Sequence, residues 1–176
     1  GVTTWYSEGT AEYYSVLLPL RLGLISDDEA IAELQKRTDK YYSNPTRHLG
    51  DEEAAAICWK NRRAQRLVYG RGMIFFINID IKIQQATGGG KKCMDDVVLS
   101  ILEKDRAGET LGNEVFLSVV KKISGLDVRS EWEAMHTGKE IIPLSGGFDG
   151  HFAVKEKENE EADTKNRVRP WQWIKR

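Results

Sequence analysis

Val68-Tyr69-Gly70-Arg71-Gly72-Met73-Ile74-Phe75-Phe76-Ile77-Asn78-Ile79-Asp80-Ile81-Lys82-Ile83-Gln84-Gln85-Ala86-Thr87 decides the fold. Its middle, Ile77 to Gln84, alternates isoleucine with polar residues without a break. Period-two alternation of a β-branched residue is the pattern of a half-buried strand. The whole stretch, however, runs roughly 20 residues, several times the usual strand of about 5–6. A helix accommodates that length. At helical spacing Met73, Phe76, Ile77 and Ile81 form one stripe, with Ile79 and Ile83 beside it. The stretch is therefore read as one long helix, and the chain as mainly α.

Upstream, Ser26-Asp27-Asp28-Glu29 is a capping box opening a helix with Ile31, Leu34, Thr38 and Tyr41 on one face. Asn44-Pro45 closes it. Residues 46–50 read as a loop carrying His48, a surface residue or a ligand. Asp51-Glu52-Glu53 places acids at the positive end of a further helix. Lys60, Arg62, Arg63, Arg66 and Arg71 form a basic cluster, either an anion site for a substrate carboxylate or a solvated face. On its residues alone, Tyr69 before glycine reads as core or turn.

At the start of the chain, Trp5-Tyr6-Ser7-Glu8-Gly9-Thr10-Ala11-Glu12-Tyr13-Tyr14 reads as the first turns of a helix. Thr3 or Thr4 can cap it. Tyr13, Val16, Leu17 and Leu20 share a face, and the helix should end near Leu22 with Gly23 left-handed. Glu8 and Glu12 are four apart, so their carboxylates project from one side. Glu8 is either a solvated first-turn carboxylate, favoured there by the helix dipole, or a buried group needing a cation, a metal or several donors. Gly9 leaves room for something to approach.

Trp-x-x-Glu-Gly-x-x-x-Tyr-Tyr, followed by Leu-x-x-Arg-x-Gly at Leu18 to Gly23, resembles the glycyl aminopeptidase family of thermolysin-like zinc metallopeptidases. The resemblance resumes at Leu67-Val68-Tyr69-Gly70-Arg71-Gly72, where Arg71 replaces a lysine, and continues through a helix opening near Asp95-Asp96. It fades beyond about Ile142. It implies that residues 68–87 are helical, that Glu8 is the third zinc ligand, and that Tyr69 points its hydroxyl at the reaction centre. Glu12, one turn on, would support that ligand; no substrate-binding residue is implied. The chemistry is consistent, since a catalytic zinc keeps three protein ligands and a water, and a fixed phenol can donate to a developing oxyanion.

The chain departs from the family in one large respect. Its histidines are His48, His136 and His151, and no H-E-x-x-H occurs. In the family that motif precedes the Trp-x-x-Glu-Gly stretch, and the expectation is that it has been cut away. Zinc is thus implied for the intact enzyme and none is expected in this chain alone, which should be inactive. The implied partners are the missing N-terminal half of the catalytic domain and a peptide substrate. The alternative is a non-catalytic helical scaffold or interaction domain that kept the fold.

Downstream, residues 87–92 form a glycine-rich turn that departs from the phosphate-loop pattern. Asp95 and Asp96 open a helix with Val97, Val98, Ile101 and Leu102 inward. Asn113 should cap the next, with Phe116, Val119, Val120 and Ile123 on one face and Gly125 at its end. Ser130-Glu131-Trp132-Glu133 reads as a capping box for a last short helix, with Trp132 packing on the bundle. Leu144 to Val154 should hold turns and a short strand pair, and Lys155 to Asn166 a mobile charged loop. Trp171 and Trp173 in the basic tail read as a terminal strand tucked on the domain, or as a surface touching membrane or nucleic acid. Residues 1–145 are thus assigned to a helical subdomain and 146–176 to an irregular or β tail.

A net charge of −1 and a pI near 6.4 exert no general pull on nucleic acid or anionic membrane, and neither is expected as a partner. No apolar run approaches the length of a bilayer span. Residues 1–20 lack the basic start of a signal peptide, and a cytoplasmic setting is the default. Cys58 and Cys93 have no metal-ligand spacing and read as two reduced, buried thiols, with a single bridge as the alternative.

Overall fold

The computed structural model describes residues 4–157 and 171–176. Its elements are α1 (Thr4–Arg21), α2 (Asp27–Tyr42), α3 (Asp51–Ile57), α4 (Arg62–Gln65), α5 (Leu67–Ala86), α6 (Met94–Arg106), α7 (Asn113–Ser124), α8 (Arg129–His136), β1 (Phe152–Glu156) and β2 (Trp171–Lys175). The molecule is mainly helical, with one two-stranded sheet near its end.

α5 is the axis. It packs against α1, α2, α4, α6 and α7, and Met73 to Ile77, Ile79, Ile81 and Ile83 are all buried. A helix enclosed on most sides is apolar almost all round, so alternation carries no strand signal there. The polar members of the alternation each bind a neighbour. Asn78 Nδ2 donates to the Ile142 carbonyl at 2.8 Å, and the Leu144 N–H donates to Asn78 Oδ1 at 2.8 Å. Lys82 pairs with Glu131. Asp80 is buried and accepts from Tyr13, Gln84 and the Met94 N–H.

Several local expectations hold. Ser26 and Glu29 form the capping box of α2, and Asp51, Glu52 and Glu53 occupy the first turn of α3. Gly23 and Gly125 take left-handed backbone after their helices. Thr4 is the first residue of α1, and Thr3, the other candidate for its cap, lies outside the described residues. Other expectations fail for identifiable reasons. Asn113 is the first residue of α7, and its Oδ1 accepts the Trp5 indole N–H at 3.0 Å instead of capping. Residue Ser130 lies within α8, because the Arg129 N–H is already capped by Asp127 Oδ1. Leu102 is exposed on the outer side of α6. Cys58 and Cys93 are free thiols, each half-buried.

The strand pair forms between β1 and β2, antiparallel with Val154 opposite Trp173, and not within residues 144–154. Lys155 and Glu156 therefore belong to a strand; the rest of the predicted charged loop, from residue 158 on, lies outside the described residues. The tail tryptophans serve the fold. Trp173 is buried and its indole donates to Thr38 Oγ1 at 2.8 Å. Gln35 of α2 acts as a further rung, accepting the Trp173 N–H and donating to the Trp171 carbonyl.

Candidate active site at the crossing of α1 and α5

Two glycines set the geometry. A Cβ on Gly72 would sit 2.4 Å from the Trp5 carbonyl oxygen and 2.8 Å from Gly9 Cα, and a Cβ on Gly9 would sit 2.6 Å from the Gly72 carbonyl carbon. The helices therefore meet backbone to backbone, which only glycine permits. The space beside Gly9 is filled by α5 itself. Trp5 locks the crossing, edge-on to Phe75 at 5.4 Å and to Phe116 at 5.2 Å between ring centroids.

This crossing brings Glu8 and Tyr69 together. Both side chains are half-buried, and the Tyr69 hydroxyl lies near the Glu8 carboxylate. Partial burial, then the charges of Glu8 and Glu12, hold the Tyr69 phenol above its ordinary value, while Arg66 acts in the opposite sense. The hydroxyl is thus a protonated donor throughout the neutral range. Glu12, one turn along α1, is engaged by Arg37 of α2, whose Nε lies 2.7 Å from Glu12 Oε2 and whose Nη1 donates to the Glu12 carbonyl at 3.0 Å.

Arg71 does not belong to the basic cluster in which the sequence places it. It is fully buried, ion-paired with Asp51 at 2.8 Å, and donates to the Arg47 and Leu49 carbonyls. Asp51 is also 3.0 Å from His136 Nδ1, so this carboxylate joins α3, α5 and α8. Lys60 is exposed. Arg62, Arg63 and Arg66 line an open groove beside Tyr69 together with Lys36, Arg37 and Lys40 of α2. The α2 lysines carry no sequence signal that would have grouped them with residues of α4.

His48 is exposed in its loop, His136 stacks on Trp132 at 4.8 Å, and His151 is 3.9 Å from Asp27. Among the described residues no group of three or more His, Cys, Asp or Glu could hold a metal ion. The donors around Glu8, a single carboxylate and a phenol, fall short of the three ligands a catalytic zinc needs. These residues alone do not fit the metal.

Residues 2–71 match the family model described as M61 glycyl aminopeptidase, so over that span the chain is similar to this family. The match contains both Glu8 and Tyr69, ends inside the first turns of α5, and covers less than half of the chain. No curated protein matches the chain.

Proposed function

We propose that the chain is the C-terminal part of the catalytic unit of a zinc-dependent aminopeptidase. In this reading Glu8 is the carboxylate ligand of the metal and Tyr69 the donor to the reacting carbonyl. The observation that carries it is the convergence of these two side chains, both inside the matched span, beside the close approach of Gly9 to Gly72. The two imidazoles and the general base would come from an H-E-x-x-H helix outside this chain's residues. When bound, the metal would supply Lewis acidity and an activated water. Cleavage of an amide builds negative charge on the carbonyl oxygen. A phenol held protonated and fixed by α5 can donate to that oxygen with little reorganisation. Substrates would be peptides with a free N-terminus, and a glycine or alanine preference is implied by the family alone.

The test uses the intact enzyme that unites both halves. Tyr69→Phe should lower kcat by roughly 10²–10³ with little change in KM, because the lost donor acts in the transition state. Glu8→Gln should lower bound zinc, measured as metal content, and added zinc should restore part of its activity while leaving Tyr69→Phe unimproved. Full kcat in Tyr69→Phe would reject the assignment and favour the non-catalytic scaffold.

A further inference from the structure

The groove beside Tyr69 has a volume of ≈ 860 Å³ and is bounded by α2, α4 and the first turn of α5. Lys40, Arg62, Arg63 and Arg66 line it, and all four are exposed. Among the described residues none of them has a carboxylate within ion-pairing distance. The groove's own acids, Glu12 and Glu33, are both engaged by Arg37, at 2.7 and 3.6 Å, and Glu33 also by Lys36 at 3.4 Å. The remaining field is positive, and a cleft lined by one sign concentrates it.

The backbone beneath these cations is fixed. Asn61 Oδ1 accepts the Arg63 and Ala64 N–H groups at the start of α4. Asn44, just past the end of α2, donates to the Arg63 carbonyl at 2.9 Å. The side of the groove nearest the candidate site is Tyr69 itself, on whose phenol Arg66 acts. The aromatic residues in the lining are Tyr41, 2% exposed, and Tyr69, engaged by Glu8. With Tyr69 alone accessible, the lining lacks the succession of aromatic faces on which bases stack, so the chemistry favours a peptide over a single-stranded nucleic acid.

We propose that this groove binds a carboxylate of the peptide whose amide lies at Tyr69, so that the preferred substrates are short or acidic peptides. The position of the amide rests on the aminopeptidase reading; the binding of the carboxylate does not. The peptide would run from Tyr69 past Arg66 toward Lys40, Arg62 and Arg63, its negative charge away from its N-terminus. Guanidinium forks suit a planar carboxylate, accepting it through paired N–H donors.

The experiment is a titration of the isotope-labelled chain followed by NMR, with three probes: Gly-Gly-Gly, Gly-Gly-Gly-amide and Gly-Gly-Asp-amide. The free carboxylate of the first and the side chain of the third distinguish the two sources of the charge. At least one anionic probe should bind with shifts centred on Arg63, Arg66 and Tyr69. The neutral amide should bind about tenfold to a hundredfold more weakly, the usual worth of a charge-assisted hydrogen bond. Arg63→Gln with Arg66→Gln should reduce the anionic peptide to the level of the amide. Lys122→Gln, an exposed change on α7, should leave it unaltered. Equal binding of neutral and anionic probes, or tighter binding of an oligothymidylate than of any peptide, overturns the proposal. Intact carboxylate binding with no peptidase activity in the united enzyme would reject the aminopeptidase reading and leave the groove assigned.

Discussion

Two tyrosine–carboxylate pairs lie between α1 and α5, and their surroundings differ. Tyr13 of α1 donates to Asp80 of α5 at 3.0 Å, and both are buried. Asp80 also accepts Gln84 Nε2 at 2.8 Å and the Met94 N–H at 2.7 Å. Each oxygen is engaged, and Phe148 closes on the Tyr13 ring at 5.4 Å. Tyr69 of α5 and Glu8 of α1 exchange the roles of the two helices, half-buried at the edge of an open groove. A fully satisfied pair in the interior specifies the packing. A pair that retains solvent access can give up its partner to an incoming group.

The largest effect should come from the crossing that both pairs share. Gly72→Ala puts a methyl 2.4 Å from a backbone oxygen of α1, so the helices must separate. The expected loss is near the upper end of the usual about 1–3 kcal/mol for overpacking. Urea denaturation measures it. A loss below about 0.5 kcal/mol would mean that the crossing has slack and does not fix the Glu8–Tyr69 geometry.

Asp80→Asn should come next, at about 1–3 kcal/mol. Three donors converge on this side chain, and an amide NH₂ would face one of them. Glu8→Gln in the same chain should stay within about 0.5 kcal/mol, because its carboxylate remains partly solvated. Comparable losses at the two positions would erase the distinction between a closed and an open pair.

The closed pair should also mark the pH dependence of stability. Burial raises Asp80 above the ordinary carboxylate value, and the donors from Met94, Tyr13 and Gln84 offset only part of that. The folded state therefore holds this proton more tightly than the unfolded state. Stability associated with Asp80 is fully present below the unfolded value of about 3.9. It is lost as pH rises through the raised folded value. Asp27, Asp96 and Glu114 are shifted down by their partners and act in the opposite sense. The signature is thus a difference: wild type minus Asp80→Asn should lose stability with rising pH across that window. A flat difference would place Asp80 in a better solvated site than its burial implies.

Much of this arrangement was legible in the residues, and the parts that were not share a cause. Length separated helix from strand over residues 68–87, and Ser26 with Glu29 announced the start of α2. The family resemblance singled out Glu8 and Tyr69 as candidates, and the fold brings the two together, whereas spacing alone left each with an ordinary structural reading. Asp80 was hidden because a polar residue in an alternating run reads as an outward-facing one, and only the enclosure of α5 turns it inward. Asn113 and Arg71 misled for the same reason. Each has a local reading as cap or surface charge, and each is taken by a distant partner, Trp5 and Asp51 respectively. The groove joins α2 to α4, so its cations converge only through tertiary packing.

The smallest and most discriminating change is the removal of one hydroxyl from each pair. Tyr13→Phe leaves Asp80 buried with one donor fewer in surroundings that water does not reach. The loss should be about 1 kcal/mol or somewhat more, as for a buried hydrogen bond to a carboxylate. Tyr69→Phe removes the same atom from a half-buried ring whose partner can turn to solvent, and stability should move by less than about 0.5 kcal/mol. Both variants keep the ring volume, so packing contributes almost nothing to the difference. Parallel urea titrations of the two variants measure it directly. If Tyr69→Phe is as destabilising as Tyr13→Phe, the Tyr69 hydroxyl is holding α1 to α5, and the open pair is a structural bond rather than a donor available to a substrate.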